Sequence, residues 1–411
     1  MAPFPLPLEA LFTKAGAYGI YLLIGFGFGY ALEISGFAIS TKLAAQFYFK
    51  EMTVLKVMFT AIVVAMVLIF GATALGLLDF NLVWVNPTYL WPGIVGGLIM
   101  GVGFIVGGFC PGTSLVSLAT FKIDGLFFAL GTLFGIFLFG ESVQYFYDWW
   151  NSSYFGRLTL MDVSGLPAGV VVVGVVLMAL FMFWGSEKLE AIFGKKDLSK
   201  EPKWRYAAAG ALLLGAVAVL VIGQPTAQDK WANIEPDKEA ALAAREVQVS
   251  PAELLATSAD TQINLVMLDV RPEADYNLFH LRGAQNLPLA SLAAAVPELL
   301  LEPAANTVYV LMSNDEIAAT QAWKQLSAES VPNVYILEGG INKWIKTFAG
   351  EDPEITPTAT PPGQDRLIYN FPAALGDRYT AADPSPHEFE LEYEPKIKRQ
   401  TKRGPSGGGC G

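Results

Sequence analysis

Apolar residues are gathered into long runs in the first half of this chain and into short ones in the second. Runs at about 15–37, 52–78, 90–109, 125–145, 167–185 and 206–223 each come close to the ~20 residues a helix needs to cross a bilayer. Shorter apolar pieces at 39–48 and 113–121 follow the first and third runs. Beyond residue 224 the pattern changes. Asn264–Val270, Thr307–Met312 and Val334–Leu337 read as short buried strands, and Ile317–Leu326 between two of them reads as a helix. Strand–helix alternation of this kind predicts a parallel sheet covered by helices. The expected organisation is a membrane domain over 1–223 (about six crossings plus two short helices), a linker over 224–244, an α/β domain over 245–350 and a tail over 351–411.

The two run-plus-short-piece pairs look like one unit used twice. Gly25, Gly29, Gly36, Phe37, Thr41, Leu43, Phe49 and Lys50 recur 72 positions later as Gly97, Gly101, Gly108, Phe109, Thr113, Leu115, Phe121 and Lys122. Each copy has a break between its long and short helix. In the second, Gly107, Gly108 and Gly112 permit unusual backbone angles and Pro111 removes an N–H donor. Non-helical backbone at membrane depth persists only where it faces protein or a water-filled cavity. Repeats with broken helices are typical of transporters. The short helices, beginning near Ile39 and Gly112, are expected to turn their N–H-rich, positively polarised ends toward such a cavity, a setting that favours small anions.

Cys110 lies in the second break, and Ala38 takes its place in the first. The chain has one other cysteine, Cys410. Glu33 and Lys42 flank the first break; either Lys42 attracts an anion, or the two simply pair or sit at the membrane interface. Ionisable groups in membrane segments are costly and usually have a use. The pathway candidates are therefore Glu33, Gly36, Phe37, Thr41 and Lys42 in the first copy and Gly108, Phe109, Cys110, Pro111, Gly112 and Thr113 in the second.

Charge separates the halves. Residues 1–223 carry twelve acidic and twelve basic side chains, and the whole net charge of −11 falls on 224–411. An acidic soluble half argues against nucleic acid as a partner. Six basic residues (Lys188, Lys195, Lys196, Lys200, Lys203 and Arg205) crowd the loop 186–205, which is expected to be cytoplasmic. The loops 79–91 and 146–166 hold only Arg157, together with Trp84, Trp91, Trp149 and Trp150 as interfacial anchors. Residues 224–411 should then lie outside the cytoplasmic membrane, in the periplasm of a Gram-negative cell. The first residues, Met1 to Pro7, lack the basic and apolar regions of a secretory signal. Two histidines far apart make no metal site, no G-x-x-x-x-G-K-[ST] phosphate loop occurs, and no cofactor is expected.

Residues 351–386 have the proline, alanine and threonine content of a linker. An acidic and then a basic run follow, and the chain ends in Gly404-Pro405-Ser406-Gly407-Gly408-Gly409-Cys410-Gly411. A thiol on a glycine-rich end is expected to be flexible and exposed. This ending resembles the glycine–cysteine terminus of sulfur-oxidation carrier proteins, which implies a sulfur-carrying arm.

Two further resemblances cover most of the chain. Leu268-Asp269-Val270-Arg271-Pro272, His280-Leu281-Arg282-Gly283-Ala284 and Val334 to Trp344 resemble a rhodanese homology domain. Catalytic rhodaneses carry a cysteine after the strand corresponding to Thr307–Met312. Here the loop reads Ser313-Asn314-Asp315-Glu316, with Ser313 in the cysteine's place. A hydroxyl cannot form a persulfide, and Asp315 and Glu316 would repel an anion, so a docking or binding role is expected rather than sulfur transfer. The repeated Gly-x-x-x-Gly-x-x-x-x-x-x-Gly-Phe spacing and Gly108-Phe109-Cys110-Pro111-Gly112 resemble the YeeE/YedE family of sulfur-compound permeases. This implies uptake of an inorganic sulfur anion such as thiosulfate through a bacterial inner membrane, past a constriction lined by thiols, with membrane lipid around it and a small sulfur-carrier protein as a partner. The alternative left open is a membrane-tethered sulfurtransferase or sulfur carrier that uses Cys410.

Overall fold

The computed structural model describes residues 3–6, 8–197, 202–301, 306–350, 354–358, 361 and 363–398. Contacts divide the chain into two units, one up to residue 224 and one from 225 onward.

Among the described residues of the first unit, six helical segments are long and apolar enough to cross a membrane. In order, the first is α1 (Lys14–Ile34), followed by the short α2 (Ser40–Ala44) and a 3-10 turn, Ala45–Tyr48. Next come α3 (Thr53–Ala74), α4 (Leu90–Gly107), the short α5 (Pro111–Ala119), α6 (Ile123–Ser142), α7 (Ala168–Phe193) and α8 (Trp204–Ile222). Large apolar side chains such as Phe28, Leu98, Val106 and Phe127 stand exposed on these helices. That much apolar surface suits lipid and not water, so the chain is a multi-pass membrane protein. Val63 of α3, Val172, Val176 and Ala179 of α7, and Ala216 and Val219 of α8 form one core. Phe37, Leu43, Val54 and Phe109 form another, around the two helix breaks.

The second unit is an α/β domain. Its five-stranded sheet is wholly parallel, with order β1 (Gln248–Val249), β5 (Val334–Leu337), β4 (Thr307–Met312), β2 (Asn264–Asp269), β3 (Gln285–Asn286). All six residues of central β4 are buried, as a strand covered on both faces requires. One face carries Val249, Leu254, Phe279, Val308, Val310, Trp344 and Ile345; the other carries Leu268, Leu292, Leu311, Trp323, Leu326 and Ile336.

Two stretches expected to be linkers, 224–244 and 351–386, include described residues that pack into this domain. Residues 227–243 form a helix, α9 (Ala227–Ala243), whose Thr226 cap accepts the N–H of Asp229. Its Trp231 and Leu242 join the core beside Trp323. The proline-rich region is not free over 363–398 either. Tyr379, Ala381 and Ala382 are buried, and Phe371, Phe389, Leu391 and Ile397 pack on the core. Composition underestimated these residues because their apolar side chains are spaced for a strap laid over an existing surface, which has no helix or strand period.

Candidate functional site

The two breaks share one geometry. Gly36 and Gly108, equivalent in the repeat, take left-handed φ values of 80° and 71°, and so do Phe49 and Phe121 at the ends of the short helical pieces, at 55° and 60°. A left-handed residue disfavours any Cβ, which explains glycine where the helix breaks. The following Phe37 and Phe109 are each 1% exposed and turn into one cluster with Leu43 and Val54. Phe109 also meets Phe128 of α6 edge-on at 5.8 Å.

Polar contacts join the copies as well. A Cβ built on Gly108 would lie 2.9 Å from the carbonyl oxygen of Ser40, so the second break rests directly on the start of α2. The Ser40 hydroxyl donates to Asp124 Oδ2 at 3.1 Å. Lys122 Nζ lies 3.0 Å from Glu33 Oε1. The alternative Glu33–Lys42 pair does not form: Lys42 donates to the Ser35 carbonyl at 3.1 Å and lies 3.7 Å from Glu51. Thr41 is exposed, and Ala38, which stands where Cys110 does in the other copy, is buried.

Cys110 is the N-cap of α5. Its sulfur accepts the Thr113 backbone N–H at 3.4 Å, while the Cys110 N–H donates to Thr113 Oγ1 at 2.9 Å. The Thr113 hydroxyl lies 3.4 Å from the sulfur and 3.2 Å from the Cys110 carbonyl, so it can donate to either. This is a reciprocal capping box with sulfur in place of oxygen, and Pro111 at the first helical position needs no N–H partner there. Thr113 is buried, whereas Cys110, Pro111 and Gly112 are half-buried. The thiol therefore sits at the junction of the repeats, tied to the first turn of a broken helix.

Sequence pattern did not single out one further residue. Glu190, near the end of α7, is fully buried. It accepts the Met52 N–H at 2.6 Å and pairs with Lys56 at 2.5 Å. It thereby satisfies an orphan donor at the start of α3. Only a carboxylate late in an apolar helix hints at this.

In the second unit, Arg271 and Asp269 form a buried pair, 1% and 0% exposed by side chain. Arg271 Nε donates to Asp269 Oδ1 at 2.9 Å, its NH2 to Asp269 Oδ2 and the Phe279 carbonyl at 2.6 Å, and its NH1 to Asn314 Oδ1 at 3.1 Å. Ser313 is fully buried, and its hydroxyl oxygen accepts the Ala319 N–H at 3.2 Å. Asp315 Oδ1 accepts the Ile317 N–H at 2.8 Å. His280 stacks on Tyr276 at 3.7 Å and bonds its carbonyl through Nδ1 at 2.8 Å, so it is engaged structurally. Cys410 lies outside the described residues.

A family model described as sulphur transport matches residues 35–256, and one described as a rhodanese-like domain matches 250–347. The chain is 28% identical over 144 residues to the centrosomal protein of 41 kDa from Homo sapiens, covering 31% of this chain and 39% of that protein. The same figures hold for its Bos taurus counterpart. It is 26% identical over 213 residues to the thiosulfate transporter TsuA of Spirochaeta thermophila, covering 47% of this chain and 59% of the transporter. The chain thus spans less than two thirds of each of these relatives. With more than half of its residues matched by that first model, the chain belongs to the sulphur-transport family and carries a rhodanese-like domain after its membrane helices.

Proposed function

We propose that this protein moves thiosulfate, or a closely related inorganic sulfur anion, across a bacterial cytoplasmic membrane, with residues 224–411 on the outer side. The observation that carries the reading is the position of Cys110: a half-buried sulfur capping a broken helix where two repeats meet. Serine, threonine, aspartate and asparagine are the strong N-caps, and sulfur is a weaker acceptor. A cysteine here gives up cap strength, which supports a use for the sulfur itself. The anion approaches the positively polarised end of α5, and the S–H of Cys110 donates to its terminal sulfur without a covalent step. The 26% identity to a thiosulfate transporter supports the choice of anion. A small sulfur-carrier protein is the expected acceptor inside.

The rhodanese-like domain serves recruitment or docking in this reading, since no cysteine lies between residues 245 and 350. The test is radiolabelled thiosulfate uptake in cells lacking other routes, comparing wild type with Cys110→Ser and Cys110→Ala. Cys110→Ala is expected to lose at least about tenfold in uptake rate, equal to ~1.4 kcal/mol of barrier, and Cys110→Ser less, because its hydroxyl can still donate. Cys110→Ser should stay as stable as wild type, because its oxygen keeps the cap. Uptake by Cys110→Ala at the wild-type rate would remove the thiol from the mechanism.

A further inference from the structure

The loop after β4 leads into α10 (Ile317–Ala328), a twelve-residue helix, and a carboxylate from elsewhere in the chain occupies its mouth. Asp365 Oδ1 accepts the Asp315 N–H at 2.8 Å, and Asp365 Oδ2 accepts the Ala318 N–H at 2.8 Å. The contact is reciprocal: the Asp365 N–H donates to Asp315 Oδ2 at 2.9 Å, and its carbonyl accepts from Asn314 Nδ2 at 2.8 Å. Asn342, on the helix following β5, fastens the next residues by donating to the Arg366 carbonyl at 2.8 Å and accepting the Ile368 N–H at 3.0 Å.

We infer that Asp365 is an internal ligand that shuts this loop against outside oxyanions, so that the loop can take one only when the segment 363–371 lifts away. Two convergent backbone N–H groups at a helix start are what a small oxyanion would use, and here both are already engaged by a carboxylate. The turn that delivers it is strained. Gln364 and Asp365 both take left-handed φ values, 60° and 53°, which non-glycine residues disfavour and which surrounding contacts must hold. Asp315 and Asp365 also oppose one another as like charges. A closure built on strain and facing carboxylates is poised to release. It rests on the geometry of the soluble unit alone and stands whether or not the membrane unit carries thiosulfate.

Hydrogen–deuterium exchange of the full-length protein in lipid nanodiscs tests it. Wild type, Asp365→Ala and Asp365→Asn are compared with and without sodium thiosulfate or sodium sulfate, following peptides over 313–319 and 363–371. Asp365→Ala is expected to exchange about tenfold faster over 363–371, a loss of ~1.4 kcal/mol. It should also gain protection over 313–319 when either anion is added, while wild type should gain none. Asp365→Asn keeps the size of the side chain but offers one acceptor to two donors, and should move the same way by less. Should Asp365→Ala fail to fold, the asparagine variant carries the test. Equal exchange in all three proteins overturns the inference. Anion protection of 313–319 in wild type equal to that in the variants does so too, as does release of 363–371 without any protection of the loop.

Discussion

The carbonyl oxygen of Ser40 sits where a side chain on Gly108 would have to go, 2.9 Å from an ideal Cβ. The two helix breaks, 72 residues apart in sequence, are thus in direct contact. Gly108→Ala must bear a left-handed alanine, about 1–2 kcal/mol, and an overpacked joint, about 1–3 kcal/mol more. The expected outcome is a lowered melting temperature in detergent together with lost thiosulfate uptake. A variant that melts and transports like wild type would mean the joint is not rigid.

Arg271 and Asp269 are buried together, and Arg271 also holds Asn314 in the loop. Removing one member of a buried pair typically costs about 3–5 kcal/mol, because the other charge is left without a partner. Arg271→Ala should lose that much protection in exchange over β2 and β4. Arg271→Lys should recover little, since an ammonium cannot supply the guanidinium fork. Unchanged protection in Arg271→Ala would contradict the assignment.

Burial is the main reason the Asp365 carboxyl is held above the ordinary aspartate range; the facing Asp315 adds to it, and the two backbone N–H bonds oppose it. Asn314 links the same site to Asp275 and Arg271. A raised folded-state value means that the closed form binds the proton more tightly than the open one. Its contribution is fully present below the open-state value and is lost as pH rises through the folded one. The stability of wild type relative to Asp365→Asn is therefore expected to increase as pH falls through that window, measured as the difference in melting temperature. A difference that is flat or shrinks on acidification would reverse the sign.

The positive loop 186–205 predicts the side on which the second unit lies. In a Cys110→Ser background Cys410 is the only thiol. A membrane-impermeant maleimide should label it in intact spheroplasts to the same extent as in lysed ones. Labelling only after lysis would place residues 224–411 in the cytoplasm.

Much of this architecture was legible in the chain. Run length identified the crossings because a bilayer tolerates only helices whose backbone bonds are internal. The Gly36/Gly108 repeat disclosed both breaks because a left-handed turn selects glycine. Other parts were hidden. The partners of Glu33 and Lys42 could not be paired from spacing: Glu33 reaches Lys122, 89 residues away, while Lys42 turns to Ser35 and Glu51. Glu190, a carboxylate late in an apolar run, is a fully buried anchor.

By itself the sequence determined the local matters: which segments cross the membrane, where helices break, the three central strands of the five-stranded sheet, and that the second unit carries no thiol before its tail. These follow from hydrophobic period and backbone sterics, which act between near neighbours. Tertiary structure alone decided that Cys110 caps a helix at the junction of the repeats, and that a proline-rich strap brings Asp365 onto the loop beside Ser313. Such contacts depend on where the folded surface leaves unsatisfied N–H groups, and no run of residues read in order records that.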